Sequence, residues 1–241
     1  MPSARVAIAL LLLGTACDRA APAKTETKAE TKTKTETKAD AKADATAAPS
    51  SWTFDDATPD AVPAGVRIVQ TGEPTEPATW ATVAEPSAPS PPNAFGVTKT
   101  VGTNKTYNLA LLEGTSWKDL DLHVALRPTS GTNNQGGGVV FRAKSENDHY
   151  VARWNPVEKN FRIYALVNGA RVDIKAADLD LDTKQWHVLH VIAQGDSIEC
   201  FMDDEPIVTA TDKTFPEAGM IGLWTKGDAA TLFDDLTIAA P

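Results

Sequence analysis

Residues 147–156 read NDHYVARWNP. As a strand, this stretch puts His149, Val151, Arg153 and Asn155 on one face and Tyr150, Ala152 and Trp154 on the other, because side chains alternate with period 2. The Tyr/Ala/Trp face is core material. The opposite face is either solvated sheet or the floor of a binding site. The same alternation recurs around it. In 138–144, Val139, Phe141 and Ala143 read as core and leave Arg142 opposite. In 160–167, Phe161, Ile163 and Ala165 leave Arg162 and Tyr164. In 219–226, Ile221 and Leu223 leave Trp224 and Lys226.

Working outward, further short apolar runs fit strands at 65–70, 78–84, 106–112, 118–127, 170–174, 185–193, 197–203, 206–210 and 231–238. Asn168-Gly169 in LVNGAR is a strong hairpin signal, and AQGDSI and MDDEPI read as the next two tight turns. The segment 129–138, TSGTNNQGGG, reads as a flexible polar loop. Many short strands with regular turns predict an all-β sandwich or barrel. If sequential strands are neighbours, one sheet face gathers Arg142, Arg153, Asn155, Arg162 and Tyr164, with Trp224 and Lys226 as further candidates. Guanidinium forks and amides suit hydroxyl-rich or carboxylate ligands, and exposed aromatic rings suit sugar rings. Plain decoration of a solvated sheet is the alternative.

The chain begins MPSARVAIALLLLGTAC. An arginine, an apolar run too short to span a bilayer and then small residues predict a signal peptide over residues 1–16. The segment resembles a bacterial lipoprotein signal, which implies lipid modification at Cys17, export, and anchoring to an envelope membrane. Residues 17–50 mix Lys, Thr, Glu and Ala without an aromatic residue, which predicts a disordered tether. All six tryptophans lie beyond it, in a domain predicted at 51–241. That domain has 15 Lys+Arg and 26 Asp+Glu, a net of −11, which argues against nucleic acid as a partner. The second cysteine, Cys200, alternates with Ile198 and Met202 as a small core residue, so no disulfide framework is expected.

Residues 147–174 together with 186–238 resemble the concanavalin A-like lectin/glucanase superfamily, and within it a bacterial 3-keto-disaccharide hydrolase-like domain near the laminin G-like modules. The resemblance implies a two-sheet antiparallel jelly roll whose concave face binds glycans in many members. It leaves three functions open: carbohydrate or glycoconjugate binding without catalysis, hydrolysis of glycosides, and a protein-interaction or adhesion module. The Glu-x-Asp-x-x-Glu strand of the glucanases of this fold is not in the sequence, which argues against retaining hydrolysis by that carboxylate pair.

No cofactor is required by these patterns. A structural calcium is an expectation at the two ends of the domain, where Asp55 and Asp56 would meet Asp234 and Asp235 if the first and last strands lie side by side. Asp178, Asp180 and Asp182 do not make an EF-hand loop, since Thr183 and Leu189 stand where Gly and Glu are needed. His187 and His190, three apart on one strand, face opposite ways, and no zinc constellation follows from the histidines.

Overall fold

The computed structural model describes residues 50–73, 76–100 and 102–241. The signal-like segment, Cys17 and nearly all of the Lys/Thr/Glu/Ala tether lie outside them.

Among the described residues fifteen strands form in chain order: β1 (Ser50–Trp52), β2 (Val66–Gly72), β3 (Thr79–Ala84), β4 (Asn93–Lys99), β5 (Thr106–Leu112), β6 (Leu120–Ser130), β7 (Gly137–Ser145) and β8 (Asp148–Asn155). Then follow β9 (Asn160–Val167), β10 (Ala170–Asp178), β11 (His187–Gln194), β12 (Ser197–Met202), β13 (Glu205–Thr211), β14 (Met220–Lys226) and β15 (Ala230–Ala239). They make two antiparallel sheets. One runs β13-β12-β11-β6-β15-β4-β3, with β1 also on β15; the other runs β10-β9-β8-β7-β14-β5-β2. The result is an all-β sandwich, as the strand pattern predicts, with the two-sheet jelly-roll form that the family resemblance implies.

The core lies between the sheets, and alternation fills it. Phe95, Leu122, Val124, Phe233 and Leu236 come from the eight-stranded sheet, and Phe141, Tyr150, Trp154, Phe161 and Leu223 from the seven-stranded one. Cys200 sits in the same core, and burial pushes its thiol pKa well up, as for an inert small hydrophobe. Two expected hairpins have the backbone their sequences call for. Asn168 and Gly169 have φ of 51° and 77°, and Asp203 and Asp204 have 54° and 65°, the left-handed pairs whose twist matches flanking strands.

Two features differ from the sequence-based expectation, and a third adds detail to it. Strand β4 was not anticipated, because it follows four prolines and contains Gly96. Glycine is needed there: a Cβ on Gly96 would stand 2.8 Å from the Leu232 Cα of β15. The polar loop before β7 is held at one point, since the Asp228 carboxylate accepts hydrogen bonds from the amides of Thr132, Asn133 and Asn134 at 2.8–2.9 Å. Finally, β15 is shared along its length. It pairs with β4 through Leu232 and Phe233, and with β1 through Leu236 to Ile238. A register shift between Asp234 and Thr237, with Asp235 at φ 46°, separates the two partners.

Candidate functional site

The outer face of the seven-stranded sheet carries a second apolar cluster: Leu109, Leu111, Val140, Val151, Tyr164, Leu166 and Trp224 are each at most 2 % exposed. Around it stand rings and charges. Trp224 stacks on Tyr107 (centroids 5.8 Å) and meets Tyr164 edge-on (6.0 Å). The Arg171 guanidinium lies over the Tyr164 ring, 4.3 Å from its centroid. Arg153 donates to Asn160 Oδ1 at 2.7 Å and to Glu158 Oε2 at 2.8 Å, and Arg162 Nε lies 3.9 Å from the same oxygen. At one point the turn joining β7 to β8 spans the face, where the Thr71 hydroxyl of β2 donates to Asn147 Oδ1.

Five of the seven sequence-derived candidates therefore share this face: Arg153, Arg162, Tyr164, Trp224 and Lys226. Arg142 does not. A bulge at Arg142 (φ 48°) reverses the alternation of β7, so that Ala143 joins the outer cluster instead of the core. Arg142 instead runs to the end of the sandwich, 1 % exposed, and donates to the carbonyls of Lys118 (2.6 Å), Gly195 (2.9 Å) and Phe215 (3.2 Å). Asn155 also leaves the file. Its side-chain oxygen accepts from the amides of Val157 and Glu158 and so shapes the turn into β9. Sequence reasoning missed Arg171, Glu158 and Tyr107. Arg171 was recoverable in principle, since Asn168-Gly169 sets the register that folds β10 back onto β9.

The electrostatics are those of a partly dried basic cluster. Burial lowers the Lys226 pKa, opposed by Glu158 and reinforced by Arg153, Arg171 and Arg162. Burial likewise lowers the Arg153 pKa, against the pull of Glu158. Burial alone would raise the Glu158 carboxyl, yet hydrogen bonding and charge from Arg153 hold it below the usual range. Four buried polar atoms on this face have no hydrogen-bond partner: His149 Nε2, Arg162 Nε, Tyr164 Oη and Trp224 Nε1. Each such orphan costs roughly 1–3 kcal/mol until something supplies a partner. The floor is buried, while the rim of Tyr107, Glu158, Arg162, Arg171 and Lys226 is partly open.

The four aspartates expected to share a calcium are placed as follows. β1 does lie beside β15, but no three of the four carboxylates come within 4.8 Å of one another. Asp55 accepts from the Asn93 amide at 3.2 Å, and Asp56 is exposed. Asp234 is fully buried at the β15 bulge, where it accepts from the amides of Ser90 (2.9 Å) and Asp235 (2.8 Å). Burial, with help from Asp235 and Asp55, raises the Asp234 pKa to about 6. Across the sandwich, burial lowers the His149 pKa to about 4.

These two shifts oppose one another in acid. Below pH 6 folded Asp234 keeps a proton that the unfolded chain releases down to its ordinary pKa near 4, so its contribution to stability grows as pH falls through 6. Unfolded histidine takes up a proton below about 6.5 while folded His149 resists until about 4, so its contribution is lost over the same window. Each effect is on the order of 3 kcal/mol when complete. Urea unfolding between pH 7 and 4 should therefore show a shallow profile for the native chain. Asp234→Asn should steepen the acid loss, and His149→Gln should turn it into a gain; parallel profiles for all three proteins would refute both assignments.

The histidines also require a correction. His187 and His190 do point opposite ways, but a zinc-type grouping still forms across strands, because register sets His190 against His123 with Asp121 beside them. Nothing in the spacing along one strand announces this.

A two-sheet antiparallel jelly-roll sandwich is what this fold defines. The chain belongs to the family of 3-keto-alpha-glucoside-1,2-lyase-like domains, whose model matches residues 93–239. It is 25 % identical over 128 residues to levanase from Bacillus subtilis (strain 168), covering 53 % of this chain and 19 % of levanase. The carbohydrate-binding module CBM66 from Bacillus subtilis superposes with a TM-score of 0.53 at 22 % identity, over 68 % of this chain and 98 % of the module. The cellulose-induced protein Cip1 gives 0.60 at 13 % identity, over 79 % and 97 %. Domain 4 of the extracellular arabinanase AbnA from Geobacillus stearothermophilus, in complex with arabinotriose, gives 0.51 at 14 %, over 81 % and 93 %. These structural likenesses are likenesses of fold.

Proposed function

We propose that the outer face of the seven-stranded sheet binds carbohydrate or glycoconjugate without transforming it, on a domain exported and held at the cell envelope by a lipid on Cys17. The observation that carries the binding reading is the partly open rim of Tyr107, Arg162, Arg171 and Lys226 gathered on one sheet face. Guanidinium and ammonium donors suit a hydroxyl-rich ligand, and the partly open Tyr107 ring offers a face on which a sugar ring stacks. The fold-mates CBM66 and AbnA domain 4 support the ligand class. The non-catalytic reading is supported by the carboxylates on this face: Glu158 and Asp173 are tied to Arg153 and Arg171 and are not paired across a gap where a glycosidic bond would lie.

One observation favours a second reading, lyase or hydrolase action on modified disaccharides. The family to which the chain belongs is named for a lyase.

A glycan-array screen, repeated with calcium chelated, tests both. Its hits are then titrated with Arg171→Ala and Lys226→Ala, rim changes that leave the core alone. The expected result is a defined glycan hit, weakened about tenfold or more in each variant (~1.4 kcal/mol per tenfold). Hits unaffected by both variants would move the site elsewhere. Turnover of 3-keto disaccharides by the native chain would replace the binding reading with the catalytic one. A blank array, with a protein partner captured instead, would favour an adhesion module.

A further inference from the structure

On the opposite side of the sandwich, β6 and β11 bring together Asp121, His123 and His190. Antiparallel register places His190 directly against His123, and Asp121 lies two residues along on the same outward face. Asp121 Oδ1 is 3.0 Å from His123 Nε2 and 2.9 Å from His190 Nε2. One ligand atom from each of the three lies within 4.8 Å of the other two, the only such grouping among the described residues.

The rings are held in place. The two imidazoles stack at 3.8 Å with 12° between their planes, and Phe201 of β12 continues the stack on His190 at 5.0 Å. Two imidazole nitrogens therefore converge on one carboxylate oxygen from a rigid sheet. The side chains are partly open to solvent, at 38 % for His123, 15 % for His190 and 33 % for Asp121. Asp121 and His123 line a cleft of about 370 Å³ with Ser51, Thr237, Ile238 and Ala239. The remaining histidines are engaged differently: His149 is buried, and His187 lies between the Asp203 carboxylate and the Asp182 carbonyl.

We propose that Asp121, His123 and His190 bind a divalent transition-metal ion of the zinc class, with an open coordination position toward this cleft. The ligand set decides the class. Imidazole selects zinc and its neighbours over calcium and magnesium, which take oxygen donors. Two histidines and one carboxylate, with a fourth place left for water or another molecule, is the pattern of open zinc sites. Metal–ligand lengths of about 2.0–2.2 Å in a tetrahedron put ligand atoms roughly 3.3 Å apart, within a few tenths of an ångström of the two spacings seen. Binding here is independent of the sugar-type face on the other sheet.

The test uses the full chain, free of affinity tags and stripped of metal with a chelator, titrated with zinc chloride by calorimetry and with cobalt chloride by visible absorption. One ion per chain in the micromolar range or tighter is expected, with the cobalt form showing the intense visible bands of a four-coordinate site. His123→Gln and His190→Gln should each weaken zinc at least tenfold and abolish the cobalt bands. Asp121→Asn, which keeps the shape of the carboxylate, should weaken both with the fold retained by circular dichroism. Absence of zinc binding at 100 micromolar concentrations (about 5 kcal/mol on the affinity scale), or affinity unchanged in all three variants, would overturn the proposal.

Discussion

Arg142→Ala should cost about 3–5 kcal/mol of stability, the range for stripping one partner from a buried charged network. The guanidinium satisfies three backbone carbonyls belonging to three separate segments: Lys118 before β6, Gly195 in the β11–β12 turn, and Phe215 before β14. Asp119, 3.5 Å away, is its ionic partner, and burial holds the arginine pKa below its ordinary value against that pull. Alanine would leave a cavity and three unpaired acceptors, each worth roughly 1–3 kcal/mol if it stays dry. Arg142→Lys should fall between, because one ammonium cannot reproduce a planar fork. Fluorescence-monitored urea unfolding measures both. A loss below about 1 kcal/mol for the alanine variant, the size of an ordinary surface change, would mean that the segments hold their positions without the arginine.

Gly138→Ala is the second large effect, and it couples stability to the site. Gly138 faces outward between Trp224 of β14 and Arg153 of β8, its two cross-strand partners. A Cβ there would stand 2.7 Å from the Arg153 Cα and 2.9 Å from the Ala152 carbonyl carbon, which are backbone atoms that cannot rotate away. The β7–β8 pairing must open to admit it, at a cost of about 3 kcal/mol or more. For a domain of this size that is a fall in melting temperature of roughly 6–12 °C. Glycan binding should weaken together with it, since Arg153 and Trp224 move apart. A variant that melts like the native chain would show that the strands have slack.

Most of the sandwich is legible in the sequence because alternation and turn chemistry are local. Phe161, Ile163 and Ala165 against Arg162 and Tyr164 can be assigned to faces without knowing any neighbour, and Asn168-Gly169 announces its own turn. Three things are not local. A bulge such as that at Arg142 inverts parity midway along a strand, and nothing in VVFRAKS marks the residue where it happens. Partners contributed by other strands, as Arg171 is to Tyr164 or His123 to His190, depend on register, which a strand's own residues do not encode. Asn155 failed for a third reason: a residue at a strand's end serves the turn before it serves the face.

The placement of β1 has a mechanical consequence. Its three residues pair only with the last strand, Ser50 opposite Ile238, and of the three only Trp52 is partly buried against the core. Tension arriving along the chain from its N-terminal side therefore reaches the Ser50 rung first and loads three rungs in turn, before any strand of the seven-stranded sheet feels it. Strands peeled rung by rung yield far more easily than strands sheared all at once. Under tension from that side, the three rungs of β1 are thus expected to part before β7, β8, β9 and β14, which carry the basic and aromatic face, lose their pairing.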